Sequence, residues 1–149
     1  MSETKFEDTI GFVMTKDPIT VDLHTTVRAA LQKMIQHDIG SLIVVNGETW
    51  QPMGIITERD VMRRSLDSVK ETAIYDMPVE GIMTQPLIAV PPTTPVWDAL
   101  EMMMTKKIRR LPVVDKHLIG IVTERDIFKW VLRIVYQPNV PNGVRELLQ

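Results

Sequence analysis

The sequence predicts a mixed α/β (α+β) fold made of two β-α-β-β-α repeats, packed pseudo-two-fold through their sheets. Three observations point there. The heptamer Gly54-Ile55-Ile56-Thr57-Glu58-Arg59-Asp60 returns as Gly120-Ile121-Val122-Thr123-Glu124-Arg125-Asp126. Ahead of each copy stands an apolar pattern of helical phase, Val27, Ala30, Leu31, Met34 and Ile35, then Val96, Ala99, Leu100, Met103 and Met104. Residues at i, i+3, i+4, i+7 and i+8 share one helix face. Between pattern and heptamer lies a short apolar run, Leu42-Ile43-Val44-Val45 or Leu111-Pro112-Val113-Val114. Its β-branched content and polar boundaries read as a strand.

The repeat extends well beyond the heptamer. Met14-Thr15 returns as Met83-Thr84, Thr25 and Val27 as Thr94 and Val96, and Ile39 as Ile108. A short leading strand is expected near Pro18–Val21 and again near Leu87–Val90. The helix, the apolar strand, a polar loop and a second strand of the form Gly-Ile-(Ile/Val) follow. Thr-Glu-Arg-Asp then opens a closing helix, Val61 to about Leu66 in one copy and Ile127 to about Tyr136 in the other. The first copy carries three extra residues around Trp50-Gln51-Pro52, which reads as a longer hairpin loop, where insertions are tolerated. The expected division is a first repeat with its lead-in over 1–67, a linker over 68–80, a second repeat over 81–136 and a tail over 137–149.

Composition narrows the function classes. Units of roughly 60 residues are marginal alone, so two sharing a core is the sensible arrangement of 149 residues. A net charge of −2 argues against a strongly basic nucleic-acid binder. The absence of cysteine excludes a disulfide scaffold and cysteine-ligated zinc. His24, His37 and His117 are scattered without ligand spacing, so no metal site is expected. No apolar run approaches the roughly 20 residues of a membrane span. The acidic N-terminus lacks the apolar core of a secretory signal. A soluble cytoplasmic protein without a catalytic cofactor is the expectation.

The heptamer is first a helix start. Thr57 and Thr123 stand where a strand ends and a helix begins, with Asp60 and Asp126 at the third helical position of a capping box. The same parts suit a nucleotide. A helix N-terminus attracts anions, and a carboxylate has two acceptor oxygens for vicinal ribose hydroxyls. Capping and ligand binding both remain open from the residues alone. Lys106-Lys107-Ile108-Arg109-Arg110 reads either as a solvated helix end or, through its arginines, as a phosphate clamp. Arg59 and Arg125 fit a phosphate contact or a salt bridge equally. Trp97, Trp130, Val131 and Ile134 offer an apolar association surface.

These motifs resemble the cystathionine-β-synthase domain, and the tandem pair resembles a free-standing Bateman module. The second copy carries Met83-Thr84-Gln85-Pro86, Leu111-Pro112-Val113-Val114-Asp115 and Gly120 to Asp126. The first departs from the pattern with Ile43 in place of proline and with Asp17 added before Pro18. The resemblance covers roughly residues 10–66 and 78–135. It implies that Asp60 and Asp126 hold ribose, with Thr57 and Thr123 near ribose or phosphate. It further implies that Ile19, Thr20, Ile39, Gly40 and Ile121 line the adenine of the Asp126 site. Leu87, Ile88, Ile108 and Ile55 would do so for the Asp60 site, with Arg109 and Arg110 on phosphate. For the apolar members, core packing is the competing reading. The resemblance also implies a homodimer.

The expected function is therefore a regulatory module, not an enzyme. It senses AMP, ADP, ATP or a related adenosyl ligand in the cleft between the repeats and signals by conformational shift to a partner protein. No nucleophile–base arrangement or paired carboxylates suggest catalysis. The alternatives are nucleic-acid binding through Lys106–Arg110 and a purely structural interaction module.

Overall fold

The computed structural model describes residues 5–67 and 72–136. In chain order its elements are α1 (Ile10–Val13), β1 (Thr15–Lys16), β2 (Thr20–Asp22), α2 (Val27–His37), β3 (Ser41–Val45), β4 (Pro52–Thr57), α3 (Glu58–Asp67), α4 (Val96–Lys106), β5 (Arg110–Asp115), β6 (His117–Thr123) and α5 (Glu124–Tyr136). Two compact units result. One comprises Met1–Lys16, Ala89–Asp115 and Ile119–Gln149; the other comprises Asp17–Ile88 with Lys116–Leu118. Each holds one three-stranded sheet, β1-β6-β5 in the former and β2-β3-β4 in the latter. We call them the second-repeat unit and the first-repeat unit. The mixed fold and the two repeats are as the periodicities predict.

In the first-repeat unit, β2 runs parallel to β3, and β3 pairs antiparallel with β4, Leu42 opposite Ile56 and Ile43 opposite Ile55. Leu42 and Val44 face the core with Ile56, and Ile43 and Val45 on the other face are buried too. A continuous apolar run is what a strand covered on both sides requires. Helix α2 starts at the Thr26 hydroxyl, which accepts from the Ala29 amide at 3.1 Å. It stops at Asp38, whose φ of 51° lets the Ile39 amide reach back to the Met34 carbonyl at 3.0 Å. That closure satisfies carbonyls the helix end would otherwise orphan. Helix α4 ends the same way at Lys107, φ 55°. Val27, Ala30 and Met34, like Val96, Ala99 and Met103, are buried. Ile35 and Met104 are 80% and 60% exposed. Position i+8 is turned about 80° from i at 3.6 residues per turn, so these two fall off the buried stripe.

Three expectations change in detail. The leading strand of the second repeat reduces to one parallel bridge, Val90 opposite Val113. Pro91 and Pro92 follow and have no amide hydrogen to extend the ladder. In the first repeat, Leu23 at the corresponding point donates to the Val45 carbonyl at 3.0 Å. The closing helices start at Glu58 and Glu124 instead of Val61 and Ile127, because the threonine ahead of each is the cap. Trp130 is only 3% exposed and donates its indole hydrogen to the Glu7 carbonyl at 2.8 Å. It is a core residue of its unit, packed edge-on against the exposed Trp97, and not surface.

The loop between β3 and β4 is long, Asn46 to Gln51, whereas Lys116 alone separates β5 from β6. Asp22 braces the long loop by accepting from the Gly47 amide at 2.7 Å and the His24 amide at 2.9 Å. The His24 amide, aided by that of Gly47, holds the Asp22 carboxyl below its ordinary value.

Residues ahead of each helical pattern also pack. Of the expected linker 68–80, residues 68–71 lie outside the described residues, as does the tail 137–149. Residues 72–83 lie on the first-repeat unit. The Val79 amide donates to the Thr25 carbonyl at 2.8 Å, Val79 is fully buried, and Pro78 bridges Thr26. In the second-repeat unit, Thr9 bridges Pro95 and Ile10 is fully buried in the matching way.

Glycine matters most where these lead-in segments meet the sheets. A Cβ on Gly54 would stand 2.7 Å from the Thr84 carbonyl oxygen, and one on Gly120 would stand 2.9 Å from that of Thr15. Both obstacles are backbone. We predict that Gly54→Ala and Gly120→Ala each lower unfolding free energy in urea by about 1–3 kcal/mol, the range for overpacking. Gly81→Ala, where only the flexible tip of Met77 intervenes, should change it far less. A second expectation concerns acid. Asp22 stabilises the fold at neutral pH, and that contribution fades as pH falls below its ordinary value of 3.8 toward its lower folded value. The stability gap between wild type and Asp22→Ala should therefore close between about pH 5 and pH 2.

Candidate ligand-binding site

The repeated heptamer builds the same cap in both units. The Thr57 amide donates to Asp60 Oδ2 at 2.9 Å, and the Asp60 amide donates to Thr57 Oγ1 at 3.1 Å. The Thr123 amide donates to Asp126 Oδ2 at 2.9 Å, and the Asp126 amide to Thr123 Oγ1 at 3.2 Å. This reciprocal pair is the capping box that the spacing predicts. The amide of the first helical residue is also taken. Glu58 donates to the Gly40 carbonyl at 3.0 Å, and Glu124 to the Arg109 carbonyl at 2.9 Å. A helix start attracts anions through its free amides, and most of them here already have partners. The carboxylates are what the caps still offer: each uses Oδ2 internally and has Oδ1 remaining, on a half-buried side chain.

In the first-repeat unit the start of α3 gathers Thr57, Asp60, Ile55 and Gly40. One further hydroxyl joins them, since Thr84 Oγ1 lies 3.3 Å from Asp60 Oδ1. Thr84 is fixed there by paired backbone bonds with Ile55, at 2.8 and 3.2 Å. Sequence reasoning did not single it out as a site residue, although the recurrence of Met14-Thr15 as Met83-Thr84 was the available signal. In the second-repeat unit the start of α5 gathers Thr123, Asp126, Ile121 and Arg109. The Arg109 guanidinium stands 4.0 Å from the Glu124 carboxylate, both well exposed.

The remaining candidates are more dispersed. Arg59 and Arg125 are exposed on the first helical turns, and neither enters an ion pair among the described residues. Ile19 and Ile39 are half-buried against the first-repeat core. Thr20 lies in β2, where its carbonyl accepts from the Lys33 ammonium at 2.6 Å. It also lines a cleft of about 340 Å³ together with Asp22, Lys33 and Trp50. Leu87 and Ile88 are half-buried in irregular chain. Ile108 closes the end of α4 through the Met103 carbonyl, and Arg110 opens β5. Among the described residues no cluster of three or more His, Asp or Glu fit to hold a metal occurs, and no helix is long and apolar enough to cross a membrane.

Comparison with known proteins agrees with the repeat. The CBS domain model matches residues 9–67 and 79–133. An uncharacterised protein of Methanopyrus kandleri is 40% identical over 122 residues, 80% of this chain and 61% of that protein, so the chain spans less than two thirds of that relative. Among solved structures, CBSX2 in complex with AMP superposes with a TM-score of 0.74 at 28% identity, covering 85% of this chain and 98% of that one. The CBS domain pair of protein MJ0100, in complex with 5-methylthioadenosine and S-adenosyl-L-methionine, gives a TM-score of 0.71 at 29% identity, covering 83% and 94%. Two domain matches, in the order and at the places the duplicated motifs occupy, leave one conclusion: the chain belongs to the CBS domain family and carries a tandem CBS, or Bateman, module.

Proposed function

We propose that this chain is a regulatory module that binds an adenosyl ligand, an adenine nucleotide such as AMP, ADP or ATP foremost, and does no chemistry on it. The observation that carries the reading is the state of the two repeated carboxylates. Each is held by its own cap through Oδ2, which leaves Oδ1 outside the cap on a half-buried side chain, with the Thr84 hydroxyl 3.3 Å away at Asp60. A fixed carboxylate of this kind suits vicinal ribose hydroxyls, which are donors in need of a strong acceptor. The AMP complex of CBSX2 and the methylthioadenosine and S-adenosylmethionine complex of the MJ0100 pair support the ligand class. Arg109, Arg110 and Arg125 are the cations we assign to phosphate. Isoleucines 19, 39, 55, 108 and 121, with Leu87, Ile88, Thr20 and Gly40, are assigned to the adenine. Exposed Trp97 and Ile134 supply the surface through which two copies would pair. Signalling follows if the ligand favours one of two conformations, because a ligand shifts an equilibrium only by its differential affinity for the two states.

The test must separate binding from capping. Asn in place of Asp keeps an oxygen able to accept from the threonine amide but replaces the other oxygen with a donor. Calorimetry with AMP should show loss of one binding event in Asp126→Asn and of the other in Asp60→Asn. Melting temperatures without ligand should move little in either variant. AMP should raise the melting temperature of wild type by mass action and leave the double variant unmoved. Undiminished AMP binding in the double variant would sink the reading.

A further inference from the structure

The two carboxylates are not equivalent, although the heptamers that carry them are. Asp126 Oδ2 accepts from the Thr123 amide, and among the described residues its Oδ1 accepts nothing. Asp60 Oδ2 is used in the same way, but its Oδ1 also faces the Thr84 hydroxyl at 3.3 Å. The difference begins in the lead-in segments. Thr15 and Thr84 are repeat equivalents, and each sits opposite the isoleucine after the repeated glycine, Ile121 or Ile55. Strand β1 continues one residue further, with Lys16 opposite Gly120. In the first-repeat unit the pairing is an isolated bridge at Thr84.

Resting on the adenosyl-binding reading above, we infer that the Thr84 hydroxyl sets the affinity of the Asp60 half-site by occupying the carboxylate oxygen a ligand hydroxyl needs. A ribose hydroxyl arriving at Asp60 must displace or share that bond, and one arriving at Asp126 meets no such hydroxyl among the described residues. Thr84 is itself exposed and its backbone is clamped to Ile55 at both ends of the residue. The backbone clamp therefore keeps Thr84 beside the start of α3, with its hydroxyl within reach of Oδ1. The module thus has one ready carboxylate and one restrained carboxylate, and the first equivalent of nucleotide goes to Asp126. Thr84 acts on the ligand contact and not on the cap, because the cap uses the other oxygen.

The experiment isolates the Asp60 half-site with Asp126→Asn and titrates AMP by calorimetry. Adding Thr84→Val, which keeps the shape and removes the hydroxyl, should tighten AMP binding about two- to ten-fold, the equivalent of one net hydrogen bond. Thr84→Ser should reproduce the parent affinity. Thr15→Val in an Asp60→Asn background should change nothing. Unchanged or weaker AMP binding on adding Thr84→Val would overturn the inference while leaving the binding reading intact, provided Asp60→Asn still removes a site. Equal AMP binding with and without both aspartates would overturn both.

Discussion

The close approach of a lead-in strand to a glycine is the constraint on which both units depend. At Gly54 and Gly120 there is no room for a Cβ beside the backbone of Met83-Thr84 and Met14-Thr15. Neither glycine has a positive φ, so the requirement is space and not backbone conformation. Because the strand comes that near, Thr84 bonds to Ile55 and Thr15 pairs with Ile121. The buried methionines Met83 and, less fully, Met14 then fill the gap beside the glycine. The segments leading there bury Val79 and Ile10 completely, each worth about 1.5–3 kcal/mol against exposure. These short lead-in segments thus carry a real share of each small unit's stability.

The cap depends on the same strand. Two residues after the isoleucine that pairs with the lead-in comes the threonine, and the helix turns away from the sheet there. Asp60 and Asp126 return to the threonine amide and hold the corner rigid. This use of the carboxylate is at once structural and preparatory. It fixes the side-chain rotamer, so a ligand bound at the second oxygen would lose little side-chain entropy on binding. The threonine hydroxyl and the carbonyl of Gly40 or Arg109 also take most of the helix-start amides, which would otherwise favour an anion there. Arg109 and Arg125 are exposed at the start of α5, and Arg109 already stands near Glu124. A phosphate approaching Arg109 would have to compete with an exposed ion pair, which is weak.

Much of this was legible in the sequence because the signals were local and doubled. Val27, Ala30 and Met34 gave α2 by period alone, and Leu42 to Val45 gave β3 by its unbroken apolar content. Thr57 and Asp60 gave the cap by spacing. What escaped were features decided by tertiary contact. Ile35 carried the right period but ran past the buried stripe. Trp130 read as surface because nothing local shows that Glu7 supplies a carbonyl for its indole. The second leading strand looked as good as the first until Pro92, at the place of Leu23, removed the next donor, a point the sequence did contain. Thr84 was visible as a repeat partner of Thr15, yet its nearness to Asp60 depends on the register at Ile55, which no pattern of polarity encodes.

The duplication therefore conserves scaffolding more faithfully than it conserves acceptors. Glycine, cap and lead-in recur with nearly superposable hydrogen bonds, 2.9 Å for each Thr amide to its Asp. Those bonds are enforced by helix initiation, which any drift would damage in either copy. The second oxygen of each aspartate is under no such constraint, and there the copies diverge: the Thr84 hydroxyl bonds to it at Asp60, and among the described residues no hydroxyl does at Asp126. Residues beside the cap diverge likewise: Gly40 contributes only backbone where Arg109 adds a guanidinium. A fold that repeats its corner twice is free to differ at it, because helix initiation depends on Oδ2 of each aspartate and leaves Oδ1 outside the cap.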